Sequence, residues 1–279
     1  GGVTVTNLKI AVIVIAAILM HMLANAIIAP WVAAGIRPDK ATLVLISGTG
    51  FLFWTVMLSQ ALESVTRAYY SRSDLDLVLS SPASSRTLFA VRTGITALTT
   101  LVLACLLASP VIDVLVFHDG PRWLMAYLVL AALSALATAI AVLVTVGVFR
   151  IAGPRRTRLI AQIIAAIVGA GFVIGIQAVA ILHFGNMSRF ALFADPAFVA
   201  AMPDLDSIVW APARAALGDG AALLGVAVVG FGALFLTIAF AASGYGRQAI
   251  AATGVGQQRQ AQRHGPLRFT QRTQKQELR

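Results

Sequence analysis

The sequence predicts an all-α, polytopic membrane protein with six spanning helices. Three observations predict it. The chain is 59% hydrophobic with only 11% charged residues, and its mean hydropathy is +0.87, whereas soluble domains carry about 25% charged residues. Six apolar stretches are each long enough to cross the ~30 Å hydrocarbon core, which needs about 20 residues of helix. Lys and Arg gather in alternate gaps between those stretches, as topology signals do. The net charge of +10 raises the question of nucleic acid. The basic residues form no single patch with interleaved aromatics, however, and that partner is excluded.

The first span is placed at 8–29 (LKIAVIVIAAILMHMLANAIIA), closed by Pro30-Trp31. It is too long for a signal-peptide core. The second follows at 41–62, the third at 93–116, the fourth at 123–149, the fifth at 159–184 and the sixth at 221–243. The gaps 63–92, 150–158 and 244–279 hold most of the basic residues, among them Arg67, Arg86, Arg150, Arg155, Arg156 and Arg247. The gaps 30–40, 117–122 and 185–220 hold few, and the acids Asp39, Asp113, Asp119, Asp195, Asp204, Asp206 and Asp219 fall at or beyond that side. The richer side is expected in the cytoplasm, with both termini there and the protein in the cytoplasmic membrane. Residues 1–243 thus form the transmembrane domain and 244–279 a basic, Gln/Arg-rich cytoplasmic linker or tail.

The long gap 185–220 retains Phe190, Phe193, Phe198, Ile208 and Trp210. Two short apolar helices separated by Met202-Pro203 are expected there, interfacial or re-entrant and packed on protein. Small residues recur at helical spacing between Ala131 and Ala141 and at Gly171-xxx-Gly175, where helices can approach closely. Pro110 is expected to kink or end the third span. Cys105 is the sole cysteine and forms no internal disulfide. No CxxC or HExxH spacing suggests a metal site, and no GxxxxGK[ST] suggests a nucleotide site.

The most polar segment of the first half is YYSRSDLDLVLSSPASSRTLFAVR at 69–92. Ser71-x-x-Asp74 and Ser73-x-x-Asp76 have capping-box spacing, so either serine can start a short helix. Leu75, Val78 and Leu79 share one face of it. Ser80-Ser81-Pro82 stops it, Ser84 or Ser85 caps the next span, and Arg92 can snorkel to headgroups. The apolar face is too small to anchor in lipid, which points to docking on protein.

This stretch, from Glu63 to Arg92, resembles the first cytoplasmic loop of type-2 ABC exporter permeases. There a basic and acidic stretch leads to a Leu-rich short helix, then Ser-Pro, then a basic residue entering the next span. The commoner family form has Glu-x-Gly-Thr-x-Glu ahead of the leucines, where this chain has Ser71-Arg-Ser-Asp-Leu-Asp. The six-span layout and the apolar insert between spans five and six are similar too. The resemblance implies that the loop is a coupling helix, with Arg72, Asp74, Leu75, Asp76, Leu79, Ser81, Pro82 and Arg86 contacting a separate cytoplasmic ABC ATPase. ATP and Mg would be bound by that partner, so this chain is a transport component without a cofactor or catalytic residues. A second six-span half following the tail, or a homodimer mate, would complete the path.

Among the spans, His21 and Asn25 lie one turn apart in the first, and Gln177 lies deep in the fifth. Polar groups at such depth face protein or a cavity. They are candidates for interhelical hydrogen bonds or for lining the path. Asp113 is expected at the interface, and no charged residue falls at the centre of a span. That argues against an ion-coupled secondary carrier, which commonly uses a buried acid. A non-transport assembly or anchoring subunit is the other alternative.

Overall fold

The computed structural model describes residues 2–70, 85–184 and 189–263, and within them the chain is helical without strands. Helix α1 covers Gly2–Ala33, α2 Lys40–Tyr70 and α3 Ser85–Asp119. A 3-10 turn at Pro121–Leu124 leads into α4, Met125–Ala166. A π turn at Ile167–Gly171 joins α4 to α5, Phe172–Phe184. Short helices follow: α6 Arg189–Ala194, α7 Pro196–Ala201, a 3-10 turn Ile208–Trp210 and α8 Ala211–Ala216. The last helix, α9, runs Gly220–Arg263.

Five helices are long and apolar enough to cross a membrane: Thr6–Ala33, Lys40–Arg67, Arg86–Asp119, Pro121–Ala152 and Gly220–Ala241. Where a fifth span was expected at 159–184, the structure has a shorter apolar helix, Leu159–Gly175, which is not among those five. Several such helices in one chain make this a membrane protein.

Pro30 and the gap 150–158, expected to separate spans, and Pro110, expected to kink or end the third, all lie within helix. Pro30 and Pro110 lie inside α1 and α3 and end neither. At Pro110 the missing N–H would leave the Leu106 carbonyl without its helical donor. The Ser109 hydroxyl donates to that carbonyl at 3.3 Å and fills the gap. The gap 150–158 is also helical. Even so, α4 is not one straight rod. The Trp54 indole donates to the Leu133 carbonyl at 3.2 Å, and the Ser59 hydroxyl to the Ala165 carbonyl at 2.8 Å. Trp54 and Ser59 are little more than one turn apart, whereas Leu133 and Ala165 would stand about 48 Å apart along a straight helix at ~1.5 Å per residue. The chain therefore turns back between them, in an interval that contains Gly153-Pro154, the kind of pair at which helices kink. In the expected linker, 244–263 continues α9 as helix, as its Ala, Gln and Arg content favours. Residues 264–279 lie outside the described residues.

Helix α4 is the centre of the bundle. Two thirds of its best apolar window is buried, against a third or less in the other four. Alanines make this possible: Ala132, Ala135, Ala137, Ala139 and Ala141 are essentially inaccessible. Small side chains let neighbouring backbones come close. Closest is α9, where a Cβ at Gly230 would collide with the Ala132 carbonyl. Helix α2 packs Met57, Leu58, Ala61, Leu62 and Val65 against Ala137, Ala141, Val142 and Val146, with Phe89 of α3 in the same cluster. Helix α1 stands apart. It leans chiefly on α3, and Ala24 is its one buried residue among the described side chains.

The connections α1–α2 and α3–α4 and the short helices α6–α8 meet at one end of the bundle, called here the capped end. Lys40 donates to the Ala200 carbonyl at 3.2 Å, and Gly218 packs on Arg122. Gly120, at φ 101°, makes the turn out of α3 that no residue with a Cβ adopts easily. The acids of this end serve mainly as helix caps. Asp39 accepts from Thr42 N–H, Asp195 from Phe198 N–H, and Asp219 from Ala221 and Ala222 N–H.

Candidate functional site

Of the expected coupling residues, Arg72, Asp74, Leu75, Asp76, Leu79, Ser81 and Pro82 lie outside the described residues. The flanks are in place. Helix α2 reaches Tyr70 and α3 starts at Ser85, with Arg86 exposed in its first turn. These two helices pack together, so residues 71–84 join neighbouring helices at the end opposite the cap. Arg67 and Glu63 pair at 2.5 Å one turn before α2 ends. Exposed i,i+4 pairs contribute only about 0.3–0.5 kcal/mol.

His21 and Asn25 are brought to a polar junction of α1, α3 and α4. His21 Nε2 lies 3.3 Å from Asp113 Oδ2, and its Nδ1–H donates to the Ala17 carbonyl at 2.8 Å. The Tyr127 hydroxyl donates to Asp113 Oδ1 at 2.6 Å, and His118 Nε2–H donates to Asn25 Oδ1 at 2.7 Å. Asp113, expected at the interface, has two hydrogen-bond partners here. It belongs to the apolar segment Arg86–Asp119 and pairs with the middle of α1. Spacing gave no hint of this, since 92 residues separate the partners. Tyr127 is only 14 residues from Asp113, but it lies on the next long helix and spacing along one helix does not pair them. Gln177 is half-buried on α5.

The second feature is a cavity of about 500 Å³ between α2, α4 and the short helices. Phe51 and Trp54 of α2 and Leu133 of α4 form its walls, and Phe193, Phe198 and Trp210 its roof. Gly48 admits the Phe193 ring, because a Cβ there would lie 2.6 Å from it. The Trp210 indole donates to the Asp204 carbonyl at 2.9 Å and fixes the roof. Its polar features are few. The buried Ser47 hydroxyl lines it without a partner among the described residues. Such a cavity has the size and apolar lining of a small-molecule site, typically ~300–1,000 Å³. Its chemistry suits the hydrocarbon part of an amphiphile. Among the described residues no group of three or more His, Cys, Asp or Glu could hold a metal ion.

Comparison with protein-family models, curated proteins and solved structures found no match to this chain.

Proposed function

We propose that this chain is the permease component of an ATP-driven exporter. It spans the cytoplasmic membrane six times with both termini in the cytoplasm. A cytoplasmic ABC ATPase grips it through residues 63–92. ATP binding closes the ATPase pair, the short helix around Asp74–Leu79 follows, and α2 and α3 carry the movement into the bundle. Hydrolysis belongs to the partner, which binds ATP and Mg. A second six-span half or a homodimer mate completes the path, and an amphiphilic or apolar cargo is bound at the cavity under α6–α8.

The observation that carries the reading is the loop itself, Glu63–Arg92, with its acidic start, leucine face and Ser81-Pro82 stop. Its position supports the role, because the segment joins two packed helices and a push on it is transmitted to both. The turn-back of α4 supports six crossings, and the apolar cavity supports the cargo class.

Affinity purification of the full chain from its native membrane tests this. ATP hydrolysis is expected to co-purify, and Leu79→Asp is expected to abolish both that activity and export while membrane insertion persists. Unchanged co-purification would move the partner's footprint elsewhere. A chain that binds a cytoplasmic protein without ATP hydrolysis would be an assembly or anchoring subunit. One observation favours a different reading: Asp113, hydrogen-bonded to mid-helix His21, is the kind of intramembrane acid that ion-coupled carriers use. Transport that follows an ion gradient without ATP would establish that alternative.

A further inference from the structure

We propose that His21, Asp113 and Tyr127 form a proton-binding site at the junction of α1, α3 and α4. The inference goes beyond the exporter reading and stands for a permease or a carrier alike. Hydrogen-bond geometry fixes the proton count. The Ala17 carbonyl only accepts, so His21 Nδ1 carries a hydrogen. The Tyr127 hydroxyl occupies Asp113 Oδ1 as a donor. The 3.3 Å contact between Nε2 and Oδ2 then needs one more proton, carried by the imidazole or by the carboxyl. Without it, a carboxylate lone pair faces a ring-nitrogen lone pair and the contact is repulsive. The arrangement is therefore the loaded form of a one-proton site.

The ligand is a proton because both carboxylate oxygens already hold hydrogen-bond partners. A metal cation would have to displace them. The surroundings supply few other charges. Helix α1 contributes His21 and Asn25, and α3 contributes Asp113, His118 and the Cys105 thiol near Tyr127. Asp119 is taken up by Arg122 and the Trp123 indole. The side chains of His21 and Asp113 are 40% and 49% exposed, on a face otherwise covered by apolar residues such as Val14, Ile18 and Met22. Ionisable groups in apolar spans are rare and normally have partners, as these two do.

Carbodiimide labelling of the wild-type chain in lipid nanodiscs tests the proposal. Dicyclohexylcarbodiimide is apolar and reacts with protonated carboxyl groups. Adduct at Asp113, read by peptide mass spectrometry, is expected to fall about tenfold per pH unit above the site's midpoint. Absent or pH-independent labelling of Asp113 overturns the proposal. Imidazole nitrogen NMR on the same sample provides the second reading. The His21 titration midpoint is expected to move in Asp113→Asn and to return towards wild type in Asp113→Glu. An identical midpoint in all three, with the His118 signals confirming the fold, also overturns it.

Discussion

At Gly230 the closest helix crossing rests on a missing methyl group. A side chain there meets the Ala132 backbone, which cannot give way as a flexible side-chain tip could. Gly230→Ala should therefore lower the unfolding midpoint in detergent, with an overpacking cost of about 1–3 kcal/mol. Gly225 is on the same helix with open space where a Cβ would go. Gly225→Ala should raise the midpoint, because helix-interior glycine is worse than alanine by roughly 0.5–1 kcal/mol. Opposite signs on one helix distinguish packing from propensity. The interhelical donors are a milder case. Removing the Ser134 hydroxyl, which donates to the Ala97 carbonyl at 2.7 Å, should cost about 0.6 kcal/mol and at most ~1.7, the range for such bonds in membrane bundles. Little of this residue-level detail was legible in the sequence. The alanine run announced close packing, but not that α9 would be the neighbour. Asp39, Asp195 and Asp219 read as sidedness markers and prove also to be helix caps.

Elements were far more legible, because a span is defined by local composition. Leu8–Ala29 falls inside Thr6–Ala33 and 221–243 nearly coincides with Gly220–Ala241. Pro110 was expected to kink or end the third span; it does not end it, and the Ser109 hydroxyl donates to the carbonyl that the proline leaves free. The short segments at the capped end also subdivide more finely than expected. Two helices were foreseen around Met202-Pro203, whereas α6 and α7 precede that point and a 3-10 turn and α8 follow it. The turn-back within α4 makes a prediction at this scale. Spin labels at positions 133 and 165 should lie much closer than the ~48 Å of a straight helix. A pulsed-resonance distance near that length would remove the fifth crossing.

For the whole molecule, the long-range contacts were the illegible part. The His21–Asp113 pair and the roofed cavity join segments distant in sequence, and neither has a local signature. The cavity connects the fold to cargo. Gly48→Val would push its added bulk into the Phe193 ring and displace the roof. Binding of an apolar fluorescent probe to the reconstituted chain should weaken several-fold, while Gly225→Ala leaves it unchanged. Equal probe binding in Gly48→Val and wild type would place the apolar ligand elsewhere.

Sidedness of the segment between α2 and α3 is the most direct test of the account as a whole. Single cysteines placed from 71 to 84, in a Cys105→Ser background, are labelled with a membrane-impermeant thiol reagent. Oriented vesicles of both kinds are used. The account predicts labelling from the cytoplasmic face alone, where an ATPase can reach the leucines. Labelling from the opposite face would contradict it, since no cytoplasmic motor could then take hold of the chain at that segment.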